Sequence, residues 1–366
     1  MNIIFFSNSC WSLYNFRRNF LKEFIKKGYR IYVVSNRDNT TKLLEKIGCN
    51  FIELKFNTTE INYLNELINI YKFIKILVKI RPKIVFSFTV KPILYSTISS
   101  YFSKFKVVIT FDGLGRLYDK KSFSSYIYIL LLRIFNKNIL KIFLVNLNNY
   151  KFILNNKITK KNNIELIKIG TGIDTQYYKF SKLKNYNTFL FLGRYLPTKG
   201  IIEFCETAKY FKNNNKKTKF LAVGNYGKDD ISLISKKKIL SYKNYVKFYF
   251  NKKDVRKYIS SSTCVVLPSY YNEGLNRSLM EALSMGRIII TTNVPGCLEL
   301  LNKNKNGYTI EAKSEPSIIK KINKVLNSNT KKLENMSKRC RKFILKNYSD
   351  KNIINKYISL IKIYEN

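Results

Sequence analysis

The stretch Cys264-Val-Val-Leu-Pro-Ser-Tyr-Tyr-Asn-Glu273-Gly-Leu-Asn-Arg-Ser-Leu-Met-Glu281-Ala-Leu-Ser-Met-Gly286-Arg-Ile-Ile-Ile-Thr-Thr292 decides the fold. Cys264–Leu267 and Ile288–Thr292 are short, continuous apolar runs, the pattern of strands covered on both faces. Between them the chain makes a loop and then a helix that Gly286 closes. A strand, a crossover helix and a second strand of this length form a parallel βαβ unit. Glu273 stands in the loop and Glu281 inside the helix, with seven residues between them. Packing gives little reason for a carboxylate at either place.

The same alternation runs outward in both directions. Toward the N-terminus it begins with strand Asn2–Phe6, a helix over about 13–27 stopped by Gly28, and strand Tyr29–Ser35. Helix 41–47, strand 51–54 and a long amphipathic helix over 60–80 follow, the last ended by Arg81-Pro82. Strands 84–88, 106–110 and 142–145, with a helix over 124–135, continue the series. A polar stretch without periodicity, 179–187, reads as a linker, after which βα units start afresh at Phe189–Leu192. The expectation is α/β: two doubly wound, Rossmann-like parallel-sheet domains facing each other across a cleft. The boundaries expected are 1–178 and 179–346, with a basic helical tail over about 347–366 packing back on the first domain. A chain of 366 residues exceeds what one core usually supports.

Composition narrows the chemistry. The chain carries 67 basic against 23 acidic residues, a formal net charge of +44, which suits phosphorylated ligands, an anionic membrane face or nucleic acid. A coding bias toward Lys, Asn, Ile and Tyr accounts for part of that excess. There is no histidine, which excludes His-ligated zinc, Ser-His-Asp triads and imidazole bases. Six scattered cysteines without a C-x-x-C pair fit reduced thiols in the cytosol. No cleavable leader and no apolar run of about 20 residues are recognisable.

Two constellations carry chemistry. Leu192-Gly-Arg-Tyr-Leu-Pro-Thr-Lys-Gly200 follows the first strand of the second domain and opens a helix. Gly193 allows backbone approach there, and Arg194 and Lys199 add fixed positive charge for a diphosphate. Alone, such a loop reads equally as solvated basic surface; its position and the downstream glutamates favour a clamp. In the second constellation Glu273 is suited to sugar hydroxyls and Gly274 to close approach. The N–H groups of Leu275 and Asn276 are expected to face an anion, and Glu281 to chelate a ribose diol. Helix-terminal charge for Glu273 and an ordinary surface position for Glu281 stay open as alternatives.

Leu267-Pro-Ser-Tyr-Tyr-Asn-Glu-Gly-Leu-Asn-Arg-Ser-Leu-Met-Glu-Ala-Leu-Ser-Met-Gly286, together with Val294-Pro-Gly-Cys-Leu-Glu299, resembles the signature of family 4 retaining glycosyltransferases. Asn251-x-x-Asp254-Val255 resembles that family's nucleotide-base segment. The resemblance implies the GT-B fold, a UDP-sugar donor whose diphosphate lies on Arg194 and Lys199, a sugar held by Glu273 and a ribose held by Glu281. Ser12-Leu-Tyr-Asn-Phe-Arg17, Phe88-Thr-Val-Lys-Pro92 and Thr110-Phe-Asp-Gly-Leu-Gly-Arg-Leu-Tyr118 are similar to a bacterial subgroup acting on undecaprenyl-diphosphate-linked sugars. This chain departs from the family in its first loop, Asn8-Ser9-Cys10, and in lacking the His common at the reacting centre. Lys91 and Asp112 are the candidates there, with Arg17 on the acceptor diphosphate.

No Asp-x-Asp pair occurs, so no metal or other cofactor is expected, and fixed cations would stabilise the leaving nucleotide. The expected enzyme is a retaining hexosyltransferase acting in surface-glycan assembly on a polyprenyl-diphosphate-linked acceptor. It would be cytoplasmic, peripheral on the inner face of the plasma membrane, and would not bind nucleic acid. The basic helix carrying Arg17, Arg18 and Lys22 and the segment 126–141 are the expected contacts with the anionic leaflet. The alternatives are an isomerase of the UDP-N-acetylglucosamine 2-epimerase kind, on the same fold, and a basic nucleic-acid-binding protein.

Overall fold

The computed structural model describes residues 1–58, 60–111, 123–145, 147–167, 172–225, 234–270, 275–302 and 305–363. The chain divides into two compact units, Met1–Gly172 with Asp350–Asn366, and Ile173–Ser349.

The first unit contains strands β1 (Asn2–Ser9), β2 (Arg30–Asn36), β3 (Asn50–Glu53), β4 (Ile84–Phe88), β5 (Lys106–Phe111), β6 (Ile139–Leu144) and β7 (Ile164–Leu166). They form one parallel sheet in the order β3-β2-β1-β4-β5-β6-β7. Its helices are α1 (Cys10–Lys26), α2 (Thr41–Lys46), α3 (Tyr63–Ile80), α4 (Val90–Phe102), α5 (Phe123–Ile134) and α6 (Leu147–Asn155). Alternate residues of a strand face opposite sides of a sheet. Ile4 and Phe6 accordingly join a core cluster with α3, α4, α5 and α6, while Ile3 and Phe5 join one with α1 and α2.

The second unit contains β8 (Thr188–Leu192), α7 (Ile201–Asn213), β9 (Lys219–Gly224), α8 (Lys236–Leu240), β10 (Lys247–Phe250) and α9 (Arg256–Ser261). It continues with β11 (Cys264–Leu267), α10 (Arg277–Ser284), β12 (Ile288–Thr292), β13 (Gly307–Ile310), α11 (Glu315–Leu326) and α12 (Thr330–Asn347). Its sheet is parallel, ordered β10-β9-β8-β11-β12-β13. The last helix, α13 (Asp350–Lys362), belongs to the first unit. Tyr357 of α13 stacks on Phe86 and Phe143 at 5.1 and 4.8 Å between ring centroids, and its hydroxyl bonds that of Thr110.

Two local outcomes differ from the sequence expectations. Helix α4 falls where the sequence leaves 89–105 without an element. Pro92 is tolerated because it lies in the first turn, and the Ser/Thr-rich run finds partners within the helix and on β4, Ser99 Oγ excepted. Thr97 donates to the Ile93 carbonyl at 2.8 Å and Ser87 to Ser96 at 2.6 Å. The helical tail breaks at Tyr348-Ser349, next to the expected boundary, and α12 and α13 lie in different units. Residues 173–178, which the sequence assigns to the first domain, fold with the second, tied by the Tyr178 hydroxyl on Glu281 and Arg341 on the Tyr178 carbonyl.

Candidate active site

In the second sheet β8 lies between β9 and β11, so the loops leaving β8 and β11 diverge at the topological switch point, where doubly wound folds bind ligands. The backbone ties these two loops together. The Thr198 carbonyl accepts the Tyr270 N–H at 2.9 Å and the Ser269 hydroxyl at 3.3 Å. Gly200 has φ +74°, and a Cβ there would stand 2.4 Å from the Pro268 carbonyl oxygen. Tyr195 is fully buried, its hydroxyl shared between the Ala222 and Tyr249 carbonyls at 3.0 and 3.1 Å. Burial pushes that phenol's pKa up, so it stays a neutral donor. The loop bearing Arg194 and Lys199 is therefore anchored at both ends, with Arg194 exposed and Lys199 half-buried.

Two backbone amides of these loops are already engaged, and one of them, that of Asn276, was expected to face an anion. The Gly193 N–H goes to the Val223 carbonyl at 3.1 Å, and the Asn276 N–H to the Gly296 carbonyl at 3.0 Å. Both amides therefore serve the fold rather than an anion. Asn276 caps α10 instead, its side-chain oxygen accepting the Leu279 N–H at 3.2 Å. Leu275 is half-buried at the same bend. Glu273 and Gly274, like Asp112 in the first unit, lie outside the described residues.

Glu281 is not a surface residue; it is 8% exposed. Its Oε1 accepts the Tyr178 hydroxyl at 2.8 Å and the Arg277 Nε–H at 3.2 Å. Burial raises the carboxyl's pKa above its ordinary value, and the Arg277 charge and the Tyr178 hydroxyl oppose that shift. Both bonds fall on one oxygen and fix the carboxylate's plane. The Arg277 partner was legible as an i,i+4 pair. Tyr178, some hundred residues upstream in an aperiodic segment, carried no signal.

In the first sheet the switch point lies between β1 and β4. There the Thr89 hydroxyl donates to the Asn8 side-chain oxygen at 2.7 Å, joining the end of β1 to the residue between β4 and α4. Thr89 has φ +70° and ψ 159°, a conformation almost confined to glycine, and such strain collects at functional sites. From sequence Asn8 stood out only as part of the departing first loop and Thr89 only within Phe88–Pro92, since a threonine gives no sign that its φ will be positive. Two residues along, the Lys91 ammonium donates to Glu66 at 2.5 Å and to the Glu60 carbonyl at 2.6 Å. The other Glu66 oxygen takes the Tyr95 hydroxyl, so Lys91 belongs to a part-buried network. Arg17 is 2% exposed, its guanidinium 3.9 Å over the Phe88 ring. It therefore cannot also be an outer contact with a membrane.

Residues 174–343 match the family model for group 1 glycosyl transferases, and residues 2–149 the model for glycosyl transferase 4-like proteins. The chain is similar to the N,N'-diacetylbacillosaminyl-diphospho-undecaprenol alpha-1,3-N-acetylgalactosaminyltransferase of Campylobacter jejuni, 25% identical over 98% of both chains. It is 24% identical to the capsular polysaccharide biosynthesis glycosyltransferase CapM of Staphylococcus aureus over 82% of both. Among solved structures, a Rickettsia africae glycosyltransferase superposes with a TM-score of 0.80, at 18% identity over 100% of this chain and 99% of its own. Anabaena HepE, in complex with UDP and glucose, gives 0.76 at 16% identity over 99% of each.

Proposed function

We propose that this chain, which belongs to the GT-B glycosyltransferases of family 4, moves a hexose or N-acetylhexosamine from a UDP-sugar to a lipid-linked saccharide with retention of configuration. The acceptor is an undecaprenyl-diphosphate-linked glycan of surface-polysaccharide assembly. The name of the Campylobacter relative supports that class, as does a 29% identical Escherichia coli galactosyltransferase acting on a diphosphoundecaprenol, matched over 51% of this chain and 49% of its own. The observation that carries the proposal is the Thr198 carbonyl bond to Tyr270, which joins the loop of Arg194 and Lys199 to the loop leading toward Glu273 and Glu281.

In this scheme Arg194 and Lys199 receive the donor diphosphate, and Glu281, held by Tyr178 and Arg277, accepts hydrogen bonds from the ribose hydroxyls. Glu273 and Gly274 lie against the donor sugar, Leu275 and Asn276 form the bend beneath the phosphates, and Arg17, Lys91 and Asp112 serve the acceptor side. The bond from the anomeric carbon to the diphosphate oxygen breaks while the acceptor hydroxyl attacks from the same face. The hydroxyl proton passes to the leaving phosphate, and UDP departs. Fixed cations that meet charge as it develops on the leaving group lower the barrier without reorganisation, and no metal enters the scheme. The enzyme works on the cytoplasmic face of the membrane, without nucleic acid as a partner.

Radiolabelled transfer from UDP-N-acetylgalactosamine and UDP-galactose to a synthetic undecaprenyl-diphosphate sugar tests this. Lys199→Ala and Arg194→Ala should each lower turnover about 10²-fold with the fold intact, and EDTA should leave the rate unchanged. Full activity in both variants, or consumption of donor without acceptor, would sink the proposal.

A further inference from the structure

Helix α3 is apolar on two sides. Ile70, Phe73, Leu77 and Ile80 pack into the core of the first unit. On a flanking side Leu64, Leu67, Tyr71 and Val78 are 73%, 65%, 58% and 63% exposed. Their spacing repeats the helical period, so they form a continuous outer stripe. A helix exposing this much apolar surface marks an interaction site.

The charges beside the stripe have one sign. Lys72, Lys75 and Lys79 are exposed along it, and Lys75 lies 4.6 Å over the Tyr71 ring. The single acidic residue of α3, Glu66, is turned to Lys91 and Tyr95, which removes the only negative charge from the outer side. Helix α5, which like α3 packs on α4, starts with two more exposed aromatic residues, Phe123 71% and Tyr126 65% exposed. The Tyr128 hydroxyl, in the second turn of α5, donates to the Val90 carbonyl at 2.9 Å, so the first turns of α3 and α4 and the second turn of α5 are joined through Lys91 and Val90. In a parallel sheet those first turns lie at the carboxyl ends of the strands, the end that receives substrate.

We propose that the outer side of α3, with the start of α5, seats this enzyme in an anionic lipid bilayer. This rests on the lipid-linked acceptor proposed above and moves the docking surface away from α1, whose Arg17 is buried. The helix lies in the interface rather than crossing it: among the described residues no helix is long and apolar enough to span. The lysines meet the headgroups while the leucines enter the acyl boundary, which brings the switch-point residues Asn8 and Thr89 toward the plane in which a polyprenyl diphosphate sits. Self-association through the same stripe is disfavoured, because a twofold contact would bring the lysines of both copies together.

The test uses the full chain and vesicles of phosphatidylglycerol and phosphatidylethanolamine, with phosphatidylcholine as control. The triple variant Leu64→Glu/Leu67→Glu/Tyr71→Glu changes only exposed positions and should keep the wild-type circular dichroism. Its partition onto the anionic vesicles should weaken at least about tenfold. Leu67→Trp in a Trp11→Phe background leaves one tryptophan, whose emission should shift to the blue on vesicle binding and be quenched by brominated lipid. Equal partition of the triple variant and wild type, with unshifted Leu67→Trp emission, overturns the inference while membrane association itself stands. Failure of the wild type to bind anionic vesicles removes both. A vesicle-independent blue shift with dimer mass assigns the stripe to a second copy, and the inference falls.

Discussion

Replacing Gly200 with alanine tests the anchoring of the cationic loop most directly. Gly200 has φ +74° and ψ 28°, and an L side chain in that region costs about 1 kcal/mol. The added Cβ would meet the Pro268 carbonyl oxygen at 2.4 Å and the Pro268 Cβ at 2.7 Å. Neither can step aside as the tip of a flexible side chain can, because both belong to the exit of β11. Forcing the two apart adds about 1–3 kcal/mol, for a total of about 2–4 kcal/mol. For a unit of this size that corresponds to a Tm lower by ~5–15 °C. Because the same contact sets where Arg194 and Lys199 stand, affinity for UDP should fall together with stability. Gly193→Ala is the control, since its Cβ finds nothing nearer than Leu267 Cδ1 at 3.7 Å and its change should stay within about 0.5 kcal/mol. Thermal unfolding by far-ultraviolet circular dichroism and UDP titration by calorimetry read both quantities. A Gly200→Ala protein that melts within about 2 °C of wild type and binds UDP equally well would refute the proposed coupling of the two loops.

Glu281 predicts a pH dependence. Its folded pKa is raised, so between its ordinary value of 4.5 and the raised value the folded state holds a proton that the unfolded state has released. Stability contributed by this group therefore falls as pH rises through that window, and Glu281→Gln should flatten the decline while weakening UDP binding; a variant with the wild-type slope in urea unfolding contradicts the burial argument. At Thr89 the usual order of residues should invert: Thr89→Gly should be more stable than Thr89→Ala by about 1–2 kcal/mol, because both lose the bond to Asn8 and only alanine keeps the steric cost of the positive φ. Equal midpoints for the two would remove the strain from the account. Lys91→Met leaves Glu66 part-buried without its cation and should destabilise the first unit by about 2–3 kcal/mol. If turnover collapses with the melting curve unchanged, Lys91 acts on substrate rather than through the network.

Much of the fold was legible because strand and helix periods are local. The runs Ile84–Phe88, Cys264–Leu267 and Ile288–Thr292 could only be buried strands, and crossover helices between them could only produce parallel sheets. Helix α4 escaped because its satisfaction is not local in character: Ser87 and Ser96 bond across a strand–helix contact that no spacing rule encodes. The first domain's end was misplaced for the same reason: residues 173–178 join the second unit through bonds of Tyr178 to Glu281 and Arg341, which are remote in the chain.

The sequence by itself determined the parallel α/β architecture, the family, and the cationic loop and glutamate pair that stand after the first and fourth strands of the second sheet. Those depend on residue type and order along one strand or helix. Only the tertiary structure decided which groups are available. It gave the Gly193 and Asn276 amides to neighbouring carbonyls, laid Arg17 on Phe88, and made Glu281 a buried carboxylate held by Tyr178, which closes the alternative of an ordinary surface position. It also left a second apolar stripe of α3 outside the core. Hydrogen-bond partners and burial are properties of distance between segments remote in the chain, and periodicity carries no information about them.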